Sequence, residues 1–209
     1  MKSSAFHALF VAVILLVPAA AAVAADTDDL LKDTPFEEIL AKAKSGDAKA
    51  QLWLGKAYSF QKIGSKVHMD LKESFRWYLA AATNGIAEAQ YRTGSTYYSE
   101  ALSNFSRKPE DQAKRKQSAN MALQWLMKAA FQGEIGACHE LGRGFRDGKV
   151  FTKDEVEAYK WFHLAVEGKH QFAEYDRNAL SAKLTPAKIE EAKERAVRFN
   201  KAREAARSK

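Results

Sequence analysis

Of the 209 residues, one is cysteine (Cys138), four are proline and eleven are glycine. A lone thiol excludes an internal disulfide. So few glycines and prolines, with no tract biased to a handful of residue types, leave most of the chain to ordered structure. Beyond residue 25 no segment approaches the apolar length needed to span a membrane, so the mature chain is expected to have no transmembrane span. The body also lacks a charge excess. Residues 26–176 hold 22 basic and 22 acidic side chains, while residues 177–209 carry +6 of the formal net charge of +7. A neutral body argues against a nucleic-acid partner and confines the basic character to the tail.

The first 25 residues read as a signal peptide. Lys2 supplies a positive start, Ala8 to Val17 an apolar stretch, Pro18 a break, and Ala22-Val23-Ala24 a small-residue cleavage site before Ala25 or Asp26. The expected location is periplasmic or secreted. Lipid attachment at that site is excluded, because the only cysteine is Cys138.

What the sequence does have is repetition. Arg76 to Tyr91 (RWYLAAATNGIAEAQY) returns as Trp125 to His139 (WLMKAAFQGEIGACH) and in part as Trp161 to Gly168 (WFHLAVEG), and Ala41 to Leu52 supplies its second half. A helix–turn–helix unit written three times predicts a helical repeat array. In the first unit a helix over 47–59 places Ala50, Leu54 and Tyr58 on one stripe. Asp70 and Glu73 then form a capping box for a second helix. Phe75, Tyr78, Leu79 and Ala82 make its buried stripe, with Trp77 at the edge. Ala89, Thr93, Gly94 and Tyr97 repeat the first phase, as do Ala137, Leu141, Gly142 and Phe145. Asp154 and Glu157 repeat the capping box.

Gly55, Gly94 and Gly142 share one repeat position. A glycine inside a helix costs about 0.5–1 kcal/mol relative to alanine, so three in phase predict the close approach of a neighbouring backbone. The alanine steps Ala81-Ala82 and Ala129-Ala130 supply the other half, and the tryptophans act as the large knobs between hairpins. The second repeat is longer than the others, and its second helix is expected to start near Glu110, after Pro109. Phe36 to Ala43 predicts a half-repeat covering the N-terminal end. Past Gly168, which should end the third unit, helices are expected over 171–183 and from Thr185. Ile189, Ala192, Ala196 and Phe199 form the apolar stripe of the last one, which should fray beyond Lys201. The expected organisation is a signal peptide (1–25), a capping half-repeat (26–45), three repeats (46–168), and capping helices with a basic tail (169–209).

The pattern A-x-A-x-x-x-L-G-x-x-Y, then D-x-x-x-x-x-x-W, then A-A-x-x-G is carried by Ala48, Ala50, Leu54, Gly55, Tyr58, Asp70, Trp77, Ala81, Ala82 and Gly85. It returns at Ala87, Ala89, Gly94, Tyr97, Trp125, Ala129, Ala130 and Gly133, and again from Ala137 to Gly168. Thr93 stands for the leucine and Ser118 for the capping aspartate of the second copy. This pattern resembles the Sel-one-like repeat (SLR) family, relatives of the tetratricopeptide repeats. The resemblance implies an all-α, right-handed α/α superhelical solenoid of about three helix pairs, used for protein–protein contacts, often in the cell envelope.

Catalytic motifs are few. Ser59 and Lys62 match S-x-x-K, Ser118-Ala119-Asn120 resembles S-x-N, and Lys44-Ser45-Gly46 resembles K-[ST]-G, the set used by β-lactamases and penicillin-binding proteins. The alternative of a hydrolase acting through Ser59 and Lys62 is weakened by the order of the motifs and by the absence of a mixed sheet. His139 and His163 lack the three or four converging ligands of a metal site, and no cofactor motif is present. Cys138 has nothing nearby in sequence to lower its pKa. The remaining candidates lie opposite the buried stripe of each first helix: Lys49, Leu52 and Lys56, then Glu88, Tyr91 and Ser95, then Gly136, His139 and Arg143. In stacked helix pairs these line the concave surface, so a protein or peptide partner is expected there. The basic tail, Arg195 to Lys209, is a further candidate for contact with an anionic surface.

Overall fold

A computed structural model describes residues 34–59, 67–103 and 108–208. Residues 1–33, which include the expected signal peptide, and Lys62 lie outside the described residues. Among those described, every regular element is a helix. Helix α1 (Phe36–Lys44) precedes three pairs: α2 (Ala48–Ser59) with α3 (Leu71–Thr83), α4 (Ala87–Ser103) with α5 (Pro109–Gln132), and α6 (Ile135–Asp147) with α7 (Glu155–Glu167). Helices α8 (Ala173–Ser181) and α9 (Pro186–Arg207) follow, and both pack on α7. Each helix contacts the next along the chain as far as α8, as a solenoid of helix pairs requires.

Starts and stops follow from local chemistry. The Asp70 carboxylate accepts from the backbone N–H of Lys72 and Glu73, and that of Asp154 accepts from Glu157, satisfying donors that a helix start leaves free. The reciprocal arm of the expected capping box does not form. The N–H of Asp70 is bonded to the carbonyl of Tyr58, and that of Asp154 to the carbonyl of Phe145. Helices α3 and α7 are therefore tied to the ends of α2 and α6. Glu73 instead reaches Arg76, and Glu157 reaches Lys160 and Arg195.

Gly46, Gly85 and Gly133 end their helices with φ of 101°, 89° and 98°, the left-handed region that glycine enters without a Cβ penalty. The turn that ends the third unit departs from expectation. Its left-handed residue is Lys169 (φ 63°), and Gly168 has φ −79°. The bonds agree: Lys169 N–H reaches the carbonyl of Val166 and His170 N–H that of Ala165, as Gly85 reaches Ala82 and Ile86 reaches Ala81. The unit is full length, and Lys169 holds the glycine position.

The in-phase helix glycines are notches, but neither tryptophans nor, in the main, backbone fills them. A Cβ on Gly55 would lie 2.6 Å from the Tyr78 ring, on Gly94 2.8 Å from the Leu126 side chain, and on Gly142 2.6 Å from the Phe162 ring. Each filler is the residue after the repeat tryptophan, so this contact locks the two helices of one pair. The tryptophans join successive units instead. Trp77 shares a buried cluster with Ile39 and Ala43 of α1, Trp125 with Ala81 and Ala82 of α3, and Trp161 with Ala129 and Ala130 of α5. Trp77 is thus core rather than edge, while Phe75 and Leu79 are only partly buried. Each of these indoles also carries a cation on its face: Arg76 over Trp77, Lys128 over Trp125 and Lys160 over Trp161. Burying one tryptophan contributes up to about 4–6 kcal/mol, which outweighs the propensity lost at a glycine.

Helix α5 starts at Pro109 with Glu110 and Asp111 in its first turn, as the sequence predicts. Helix α8 is shorter at both ends than predicted. Helix α9 runs to Arg207, where Arg207 Nη2 donates to the carbonyl of Gln132 at 2.7 Å. No helix among the described residues is long and apolar enough to cross a membrane.

Candidate functional site

The first helices α2, α4 and α6 bring most of the predicted face together as a ladder of contacts from helix to helix. Lys56 Nζ on α2 pairs with Glu88 Oε2 on α4 at 2.8 Å. Ser95 Oγ on α4 donates to Glu140 Oε1 on α6 at 3.1 Å. The Tyr91 ring lies over Gly136, where a Cβ would sit 2.9 Å from its Cζ; glycine at 136 is what lets the ring approach. Lys49 is half-buried and Arg143 exposed. Leu52 is displaced from this face. It is 3% exposed and packs with Tyr78, Ala81 and Trp125, because α3 and the next unit close over it.

His139 is also largely covered. Its Nε2 lies 2.8 Å from Asp176 Oδ2 on α8, its ring stacks on His170 with centroids 4.1 Å apart, and its side chain keeps 12% exposure. Arg146 pairs with the other oxygen of Asp176. Burial first, opposed by Asp176, holds His139 below the usual histidine range.

Three groups escaped the sequence reading. Arg92 on α4 and Glu140 on α6 flank Tyr91, and Glu134 caps α6 through the Gly136 N–H. Burial raises the pKa of Glu140, opposed by Ser95, Arg143 and Arg92, and burial likewise raises that of Glu134. Arg92 Nε and Glu140 Oε2 are buried without a hydrogen-bond partner, although Arg92 Nη2 lies 3.7 Å from Glu88. Buried polar groups are ordinarily satisfied; the indole N–H groups of Trp77, Trp125 and Trp161 share this state, so it does not by itself set this face apart. The signal of Arg92 and Glu140 was in the sequence, one residue after positions already singled out (Tyr91 and His139), but which way each faces is set by the packed neighbours.

Among the described residues the serine reading gains no catalytic partner. Ser59 Oγ donates to the carbonyl of Gly55 at 2.8 Å and meets the Ser74 hydroxyl, the arrangement of a hydroxyl closing the seam between α2 and α3. Cys138 is buried, and burial pushes its thiol up to about 12, far from the thiolate form that reacts. No group of three or more metal-ligating side chains converges among the described residues. Part of the tail's charge is used internally: Arg195 pairs with Glu191, Glu157 and Asp154.

No curated protein matches the chain. A crystal structure of a Sel1 repeat protein from Oxalobacter formigenes is similar, with 26% identity, a TM-score of 0.51, and coverage of 73% of this chain and 98% of its own. The crystal structure of a protective antigen of uropathogenic Escherichia coli strains, described as displaying an SLR fold, is 22% identical with a TM-score of 0.43; the match covers 78% of this chain and 40% of the antigen. The Sel1 repeat family model matches residues 48–86, 87–104, 110–134 and 135–170. Those segments hold more than half of the residues and coincide with the three helix pairs and the turn after them, so the chain belongs to the Sel1 repeat family.

Proposed function

We propose that this chain is an exported protein–protein interaction scaffold of the bacterial cell envelope, non-enzymatic, that seats a protein or peptide segment on the face of α2, α4 and α6. The observation that carries the reading is the patch between α4 and α6. There Tyr91, Arg92, Glu140 and Arg143 sit side by side, the first three half-buried and Arg143 exposed. A peptide main chain supplies carbonyls that accept from guanidinium N–H groups and N–H groups that donate to a carboxylate. First helices lie on the concave side of stacked pairs, where an extended segment gains the most contact. Residues 1–25, with the charged start, apolar stretch and small-residue cleavage site of a signal peptide, support export to the periplasm or beyond. Lys49, Lys56, Glu88 and Ser95 belong to the same face, while Leu52 and His139 serve beneath and beside it.

Affinity capture from envelope extract tests this with the wild-type protein and an Arg143→Glu, Tyr91→Ala double variant whose fold is checked by circular dichroism. A partner retained by the wild type should be lost from the folded variant. The same capture profile from both would remove this face from the account.

A further inference from the structure

In the first two pairs a side-chain relay closes the space beside each turn. Gln51 Nε2 donates to the carbonyl of Ala43, and its Oε1 accepts from Asn84 Nδ2 at 2.9 Å. Gln90 Nε2 donates likewise to Ala82, and its Oε1 accepts from Gln132 Nε2 at 2.8 Å. At the end of the third pair both members are missing. Cys138 stands where Gln51 and Gln90 stand, and Gly168, one residue before the left-handed Lys169, stands where Asn84 and Gln132 stand. A cavity of about 290 Å3 opens there, between α6, α7 and α9.

Its lining is unlike that of a packing defect. Ile135, Leu164 and Phe199 give it an apolar wall, and α9 sends in Arg203 and Arg207. Gly133 lets Arg207 come close, since a Cβ there would lie 3.2 Å from Arg207 Nη2, and Arg203 Nη1 would be in ordinary contact with it at 3.6 Å. Among the described residues neither arginine has a carboxylate within ion-pair distance. Arg207 is spent on one backbone carbonyl, and Arg203 Nε is buried with no partner. Glu167, the one acid in the lining, is engaged by Asn200 Nδ2 at 3.2 Å. Two uncompensated guanidiniums at the mouth of a half-enclosed, partly apolar space match a planar oxyanion attached to an apolar body.

We propose that this cavity is a binding site for a small organic carboxylate, with the carboxylate on Arg203 and Arg207 and the apolar body against Leu164, Ile135 and Phe199. A terminal residue of a peptide has this chemistry. The site is separate from the first-helix face, so either stands if the other fails.

The test is a 1H–15N NMR titration of the purified protein at fixed ionic strength with three probes: N-acetyl-leucine, its amide N-acetyl-leucinamide, and inorganic phosphate. N-acetyl-leucine should shift the Arg203 Nε–H and the Gly133 and Gly168 amides saturably, and the other two probes should bind at least tenfold more weakly. Arg203→Gln should weaken the interaction at least tenfold. Cys138→Gln, which restores the relay side chain and fills the cavity, should abolish binding in a chain that melts no earlier than wild type; this second variant decides the matter if Arg203→Gln fails to fold. Equal binding of the amide, phosphate binding as tightly as the carboxylate, shifts that never saturate, or undiminished binding by folded Cys138→Gln would each overturn the assignment.

Discussion

The ring of Phe162 occupies the place a β-carbon on Gly142 would take: its Cδ1 and Cε1 would both lie 2.6 Å from that carbon. The helix pair α6–α7 closes because one side chain is absent and the other is large. Gly142→Ala gains about 1 kcal/mol of helix propensity and loses about 1–3 kcal/mol to overpacking in a core that has no slack. The expected net effect is a loss of up to about 2 kcal/mol in urea denaturation, partly recovered when Phe162→Leu is added. A Gly142→Ala protein more stable than wild type would show that the notch does not matter.

Lys169 is the one described non-glycine residue with positive φ, in a turn whose counterparts are Gly85 and Gly133. A side chain in the left-handed region costs about 1–2 kcal/mol, offset in part by the backbone entropy that glycine loses on folding. Lys169→Gly is therefore expected to stabilise the chain by about 0.5–1 kcal/mol, read as a higher melting temperature. A decrease would mean that Lys169 makes compensating contacts.

The array and its turns were legible in the sequence because glycine, alanine and tryptophan recur in phase, and each has a distinct steric role. The partner of each glycine was not legible. Trp77 and Tyr78 are adjacent, and only packing shows that Tyr78 fills the notch of its own pair while Trp77 turns back onto α1. The turn that ends the third unit misled for a similar reason, since a glycine one residue from the expected place looks like the turn glycine until φ is known. Leu52 and Lys56 share a helix face by spacing alone, yet the next unit buries one and leaves the other to pair with Glu88. The closure of α8 over His139 depends on Asp176, 37 residues away, which no local pattern reports.

Lys160 is 6% exposed, its ammonium between the Trp161 ring and the Glu157 carboxylate. Burial lowers its pKa, opposed by Glu157. Removing one member of a buried pair leaves the other uncompensated, which costs about 3–5 kcal/mol, whereas an apolar replacement of similar shape is often neutral or better. Glu157→Gln should accordingly lower stability by about 3 kcal/mol, and Lys160→Met should be neutral or stabilising, since Glu157 keeps Arg195 at 3.2 Å. The reverse order in denaturant melts would contradict this.

Burial holds His139, His163 and His170 below the ordinary histidine value of 6.5. With folded values depressed, the unfolded chain takes up protons first as pH falls. Stability is therefore full at neutral pH and declines as pH drops through 6.5 and on through the folded values. Glu134 and Glu140, raised by burial above 4.5, act in the opposite sense at lower pH, because their folded carboxyls protonate first. The melting temperature is expected to fall between pH 7.5 and 5.5, and less so in a His163→Gln, His170→Gln variant. A temperature flat across that range, or the same slope in the variant, would refute the histidine contribution.

The most direct test of the scaffold reading is site-specific photocrosslinking in cells from two exposed positions, Arg143 on the first-helix face and Arg76 on α3, each replaced by a photoreactive phenylalanine derivative. The account predicts a discrete crosslinked species from position 143 and none from position 76. Crosslinking from position 76 alone, or from neither, would contradict it.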